Sequence, residues 1–275
     1  MKGMRWINLA AGAALFAGTL SVVAQPPAPG SGITGIANIA LRASDVDKEV
    51  AFLGKLGFEK AFTTTQGPNA LEVFVKINDR QFIEVYSRTD PKQPLGWMHV
   101  CFEAGDANAL EKFYTSAGLS PTPVRKADTG NLIFTVKDPS GNIIAFTQYV
   151  PDSRYTLDSG QHLGAGRISN AITGFVLPVR ELGVMTDFYS GLGFETEQSG
   201  NAVHLATPGA PYMRVELSRA AAASQPQILF PVPDARKAAD QLKKLGVNAT
   251  LQGKIVFVRD EDGNSFVLLE TGSKQ

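Results

Sequence analysis

The apolar and polar positions of this chain change period several times, and each change marks an element. Ile36 to Ala43 is an apolar, partly β-branched run that predicts a strand. Val46, Val50 and Phe52-Leu53 follow at helical spacing behind Ser44, a residue type that caps helices, and Gly57 ends the helix. Glu72 to Ile77 and Gln81 to Tyr86 alternate on either side of Asn78-Asp79 and predict a hairpin. The succession then recurs: a strand from Met98 to Glu103, a helix around Ala107 to Ala117, and a strand from Leu132 to Val136. A tight turn at Pro139-Ser140-Gly141-Asn142 and a last strand from Ile143 to Tyr149 close this unit.

The pattern repeats on a larger scale. Phe52-Leu53-Gly54-Lys55-Leu56-Gly57-Phe58-Glu59 matches Phe188-Tyr189-Ser190-Gly191-Leu192-Gly193-Phe194-Glu195 at a constant offset of 136. Asp138-Pro139-Ser140-Gly141-Asn142 has its counterpart in Asp260-Glu261-Asp262-Gly263-Asn264. Units three and four run from Ala171 to Leu217 and from Gln227 to Glu270, so duplication sets the architecture. Pro151 to Arg167 has no periodicity and reads as the linker between the halves.

One stretch falls outside this scheme. Lys2 and Arg5 precede an apolar run from Ile7 to Val23, which ends in Val22-Val23-Ala24 before Gln25-Pro26-Pro27. The positive start, the apolar core and the small residue at the end predict a signal peptide over 1–24, cleaved near Ala24-Gln25. A Pro/Gly-rich leader over 25–30 follows it. The protein is therefore expected in the periplasm or secreted, with no membrane attachment after cleavage.

Composition narrows the partners. Without Lys2 and Arg5 the chain keeps 24 basic residues against 26 acidic ones, a net charge of −2. That balance gives no reason to expect nucleic acid as a partner. Cys101 is the single cysteine, so no internal disulfide can form. Alternation places it on the face of His99, as a buried strand thiol.

Four βαβββ units, with Leu-Gly-Phe-Glu after the first helix and Asp-Pro-Ser-Gly-Asn before a last strand, resemble the vicinal-oxygen-chelate (VOC) superfamily. Its members include glyoxalase I, the bleomycin-resistance proteins and the extradiol dioxygenases. The resemblance implies an α+β fold of two tandem glyoxalase-like domains with curved mixed sheets, over 31–150 and 168–272, joined by a linker at 151–167. It also implies where a divalent ion would be held, on the first and last strands of each paired unit. In the first half those positions fall on Asn38, Glu84, His99 and Ala145, and in the second on Gly174, Glu216, Gln227 and Val267. Only Glu84 and His99 supply strong ligands in the first half, and only Glu216 in the second. Glu84 has an alternative as the partner of Arg42, His99 as a hydrogen-bonded strand histidine, and Glu216 as a surface ion pair. His162 and His204 read as incidental.

Two functions remain open on these residues. One is an exported, metal-free binding protein of the bleomycin-resistance kind, holding a small molecule in its first half. There Asn38, Tyr86, Trp97, Phe102 and Phe134 are the expected ligand-binding residues. Glu84 and His99 would be its acid–base pair, the carboxylate holding the imidazole. The other is a lyase, isomerase or dioxygenase that binds Zn, Ni, Mn or Fe through Asn38, Glu84 and His99, with water or substrate in the fourth position. A protein-interaction module has no residue pattern in its favour. The expected assembly is a monomer or a homodimer.

Overall fold

The structure, a computed structural model, describes residues 32–65, 71–207, 210–219 and 225–271. The expected signal peptide and leader lie outside the described residues. The first half runs β1 (Ile33–Ala43), α1 (Val46–Lys55), β2 (Glu59–Thr65), β3 (Leu71–Asn78), β4 (Gln81–Ser87), β5 (Gly96–Ala104), α2 (Ala107–Ser116), β6 (Arg125–Lys126), β7 (Leu132–Lys137) and β8 (Ile143–Gln148). A short helix α3 (Arg154–Leu157) lies in the connection. The second half runs β9 (Gly174–Val179), α4 (Leu182–Gly191), β10 (Glu195–Ser199), β11 (Ala202–Thr207), β12 (Ala210–Arg219), β13 (Gln227–Val232), α5 (Ala235–Lys244), β14 (Ala249–Gln252), β15 (Ile255–Arg259) and β16 (Ser265–Glu270). These are four βαβββ units, and the chain has the expected α+β fold with two VOC-like halves.

Each half forms one mixed sheet of eight strands, ordered β2-β3-β4-β1-β5-β8-β7-β6 and β10-β11-β12-β9-β13-β16-β15-β14. The two units of a half meet through their first strands, β1 with β5 and β9 with β13, both antiparallel. Each first strand is also parallel to the last strand of its own unit.

The local chemistry explains the elements. Helix α1 is capped by Asp45, whose carboxylate accepts from Lys48 N at 3.1 Å. Ser44 was the expected cap, but its own backbone N–H donates instead to Asp262 of the other half at 2.7 Å. Asp106 and Asp234 cap α2 and α5 in the same way as Asp45. Gly57 follows α1 with φ at 82°, and a Cβ there would lie 2.4 Å from the carbonyl oxygen of Gly166. The connection between the halves thus packs directly on the end of α1, which only glycine permits. In the two Asp-x-x-Gly-Asn turns, Asp138 and Asp260 accept from the backbone N–H of Asn142 and Asn264, both at 2.8 Å.

The helix-bearing faces of both sheets share one apolar core. Aromatic pairs cross the boundary between the halves: Trp97 with Phe175, Phe102 with Phe194, Phe52 with Phe266 and Phe58 with Phe230, at centroid distances of 5.3 to 5.5 Å. Tyr114 is fully buried and donates its hydroxyl to Leu192 O at 2.9 Å. Burying this many aromatics between the halves ties them together.

Candidate functional site

Alternation places the remaining face of the first sheet opposite that core. Phe74, Phe82, Cys101 and Ala145 lie on this face in smaller clusters of their own. Asn38, Glu84 and His99 lie there too. The strand register makes the four expected metal positions equivalent in both halves. Asn38 pairs with Phe82, two residues before Glu84, and His99 pairs with Ile143, two before Ala145. Gly174 pairs with Arg214, two before Glu216, and Gln227 pairs with Ser265, two before Val267.

Glu84 is buried, and its two oxygens meet different groups. Oε1 accepts from Asn38 Nδ2 at 2.6 Å and from the Tyr155 hydroxyl at 3.1 Å. Oε2 lies 3.4 Å from the Tyr86 hydroxyl and 3.6 Å from His99 Nε2. The orientation of the Asn38 amide follows from this contact, since its oxygen against a carboxylate would be repulsive. Arg42, the alternative partner of Glu84, donates to Pro94 O instead. The His99 side chain keeps 16% exposure, so this end of the group is open to solvent. Tyr86 and His99 meet edge-on, with centroids 6.2 Å apart.

Tyr155 was not expected in the site. It lies on α3, in the connection read from sequence as an aperiodic linker. The segment from Tyr149 to His162 crosses the concave face as a strap. Tyr155 is buried there, with its ring edge-on to Phe82, Phe74 and Phe62 and stacked on Tyr149 at 5.2 Å. Its hydroxyl also accepts from Asn38 Nδ2 at 3.0 Å. The strap is fastened by Lys76, fully buried, whose ammonium reaches the Asp158 carboxylate at 2.9 Å and Asp79 at 2.8 Å. His162 Nδ1 adds a contact to Asp158 at 2.6 Å. The sequence carried one local signal for the strap, Ser153 three residues before Thr156, which caps α3 through its hydroxyl.

Burial raises the Tyr155 and Tyr86 hydroxyls above the ordinary tyrosine range, and the Glu84 charge raises them further. Both stay neutral donors at physiological pH. Burial and Glu84 likewise push up the Cys101 thiol, which is the buried strand thiol expected.

Three expected ligand-binding aromatics lie elsewhere. Trp97, Phe102 and Phe134 belong to the core between the sheets, on the opposite face from Glu84. Phe102 follows from simple alternation with His99. Trp97 is turned over by a register shift: Ala40 faces His99, while the next residue, Leu41, faces Trp97. Phe134 stacks on Phe146 at 4.8 Å inside the core.

The residues do not fit a bound divalent ion. Glu84 Oε1 is taken up by two of this chain's own donors, the Asn38 amide turns its N–H toward the carboxylate, and Ala145 has no ligating atom. Among the described residues no cluster of three or more His, Cys, Asp or Glu is placed to hold a metal. In the second half a Cβ on Gly174 would lie 1.6 Å from Arg214 O, so no ligand side chain can be carried there. Glu216 is instead half-buried against His204 at 3.3 Å and Arg214 at 3.4 Å.

Residues 35–146 match the family model of the Glyoxalase/Bleomycin resistance protein/Dioxygenase superfamily. The whole fold is similar to the 2,3-dioxygenase LapB from Pseudomonas sp. KL28, with a TM-score of 0.67 at 15% identity, covering 88% of this chain and 94% of that one. It is also similar to the Mn(II)-bound glyoxalase from Novosphingobium aromaticivorans, with a TM-score of 0.63 at 17% identity, covering 86% of this chain and 82% of that one. At these identities the likeness is one of fold. No curated protein matches the sequence.

Proposed function

Residues 35–146 form a domain of the glyoxalase/bleomycin-resistance/dioxygenase superfamily, and on that premise we propose that the protein binds a small molecule at a metal-free site on its first concave face. The observation that carries this reading is the buried Glu84 carboxylate, whose Oε1 accepts from both Asn38 and Tyr155. A carboxylate surrounded by its own donors needs no cation. His99 stands at the open edge, within ion-pair reach of Glu84 when protonated. A ligand meeting the imidazole there can give it a proton or take one, while Glu84 stabilises the charged ring.

The apolar run over Ile7 to Val23 and the small residues before Gln25 support export to the periplasm or the medium. No helix among the described residues is long and apolar enough to cross a membrane.

The test is metal content on freshly purified mature protein, combined with a small-molecule screen read by thermal shift and by the His99 imidazole NMR signals. The reading expects substoichiometric metal and a ligand that moves those signals. Tightly held Zn, Ni, Mn or Fe at one per chain would overturn it. Likeness to the Mn(II)-bound glyoxalase supports a second reading, a metal-dependent lyase, isomerase or dioxygenase using Asn38, Glu84 and His99. That reading requires His99→Ala to abolish both metal uptake and turnover.

A further inference from the structure

The joint between the halves is built twice, and its two copies differ in chemistry. At the offset of 136 that relates the halves, Glu49 on α1 corresponds to Met185 on α4. Met185 is buried against the first half's turn, with the Ser140 hydroxyl 3.8 Å from its sulfur. Glu49 is 4% exposed and faces the second half's turn, where Asp260, Glu261 and Asp262 stand in place of Asp138, Pro139 and Ser140. An apolar side chain against a turn with one acid therefore suffices to pack this joint. The other copy buries a carboxylic acid beside three more, an arrangement that burial and like charge both disfavour. Glu49 Oε1 lies there without a hydrogen-bond partner. The cleft beside it measures about 190 Å³ and is lined by Asp45, Glu49, Glu261 and Asp262, with Lys48 and Lys55. Lys48 pairs with Glu261 at 3.6 Å. Asp262 uses only Oδ2, which accepts from Ser44 N at 2.7 Å.

We propose that this cleft is a calcium site that fastens α1 to the last turn of the second half, with Glu49 and Asp262 as its protein ligands and water completing the shell. A cation there meets the unpartnered Glu49 oxygen and offsets the repulsion among the surrounding acids. The donors are all hard oxygens, the set that calcium takes, and they come from a helix and a turn rather than from one rigid cage. Among the described residues no three His, Cys, Asp or Glu side chains already converge to hold an ion. Two carboxylates and water therefore imply weak binding, in the range of about 10⁻⁴–10⁻³ M. The site lies on the helix-bearing side of the first sheet, away from Glu84, so it goes beyond the small-molecule reading and does not depend on it.

The experiment uses the full mature chain, stripped with EGTA, exchanged into calcium-free buffer and melted at increasing CaCl2. The melting temperature should rise by about 3–10 °C at about 10 mM CaCl2, the shift that one site of this affinity gives a chain of this size. NaCl of equal ionic strength should give no such rise. Glu49→Met and Asp262→Ser each install the residue of the equivalent joint, and each should fold yet lose the calcium-dependent rise. Absence of a rise in the wild type, the same rise with NaCl, or the same rise in both variants overturns the proposal. Should Glu49→Met not fold, Asp262→Ser alone decides, because Asp262 is only half-buried and holds no place in the core. A lost rise in that variant supports the site, and an unchanged one overturns it.

Discussion

Glu49 offers the sharpest test of how the two halves are joined. It sits on α1, buried against the Asp260-Glu261-Asp262 turn of the second half, and one of its oxygens has no hydrogen-bond partner. Burial, and then the Asp260 carboxylate, raise its pKa from an ordinary 4.5 to about 9; Asp262 and Glu261 push the same way. Lys48, the nearby cation, is exposed and 3.6 Å from Glu261. In the folded protein Glu49 therefore keeps its proton at neutral pH, while the unfolded chain releases it above 4.5. The unfolded state binds fewer protons throughout this window, so stability is full below pH 4.5 and falls as pH rises, levelling off only above 9. A single site of this kind costs about 1.4 kcal/mol per pH unit, or about 3 kcal/mol between pH 6 and pH 8. Glu49→Gln removes the titration yet keeps an N–H donor for Asp260. The measurement is urea denaturation of both proteins from pH 6 to 9. The variant should gain about 3 kcal/mol on the wild type over pH 6 to 8, which is about 6–12 °C in melting temperature for a chain of this size. Parallel pH profiles for the two proteins would refute the reasoning.

Three further outcomes follow from the site. Tyr155→Phe keeps the aromatic ring in place but strips Glu84 and Asn38 of a partner, and should lower stability by about 1–3 kcal/mol in chemical denaturation. Lys76→Ala leaves the Asp158 carboxylate buried without its ammonium, a loss of about 3–5 kcal/mol; it should also speed tryptic cleavage after Arg154 as the strap loosens. Gly174→Ala forces a methyl against Arg214 O, and should lower the melting temperature by several degrees at least, consistent with an overpacking cost of about 1–3 kcal/mol.

Much of the fold was legible in the sequence. The constant offset between the Phe52 and Phe188 segments, the glycine after each helix and the Asp-x-x-Gly-Asn turns are local features with local causes. Backbone geometry demands them wherever they occur. Period-two alternation likewise put Glu84 on a face and Cys101 beside His99. The aromatics were harder to read, because both faces of the first sheet are covered by rings. Trp97, Phe102 and Phe134 on one face look the same in sequence as Phe62, Phe74 and Phe82 on the other. A single register shift beside Trp97 was enough to break the count.

The sequence by itself determined the units, their duplication, the turns that join their strands and the shortage of metal ligands at Ala145, Gly174 and Val267. These depend on residue type and on neighbours a few positions away. Only the tertiary structure decided what meets the Glu84 carboxylate. Tyr155 meets Asn38 across 117 residues of chain and Glu84 across 71, from a segment whose composition predicts only a connection. Such contacts are stabilised by burial and by hydrogen bonds formed after the sheet has curved, and no local pattern encodes them.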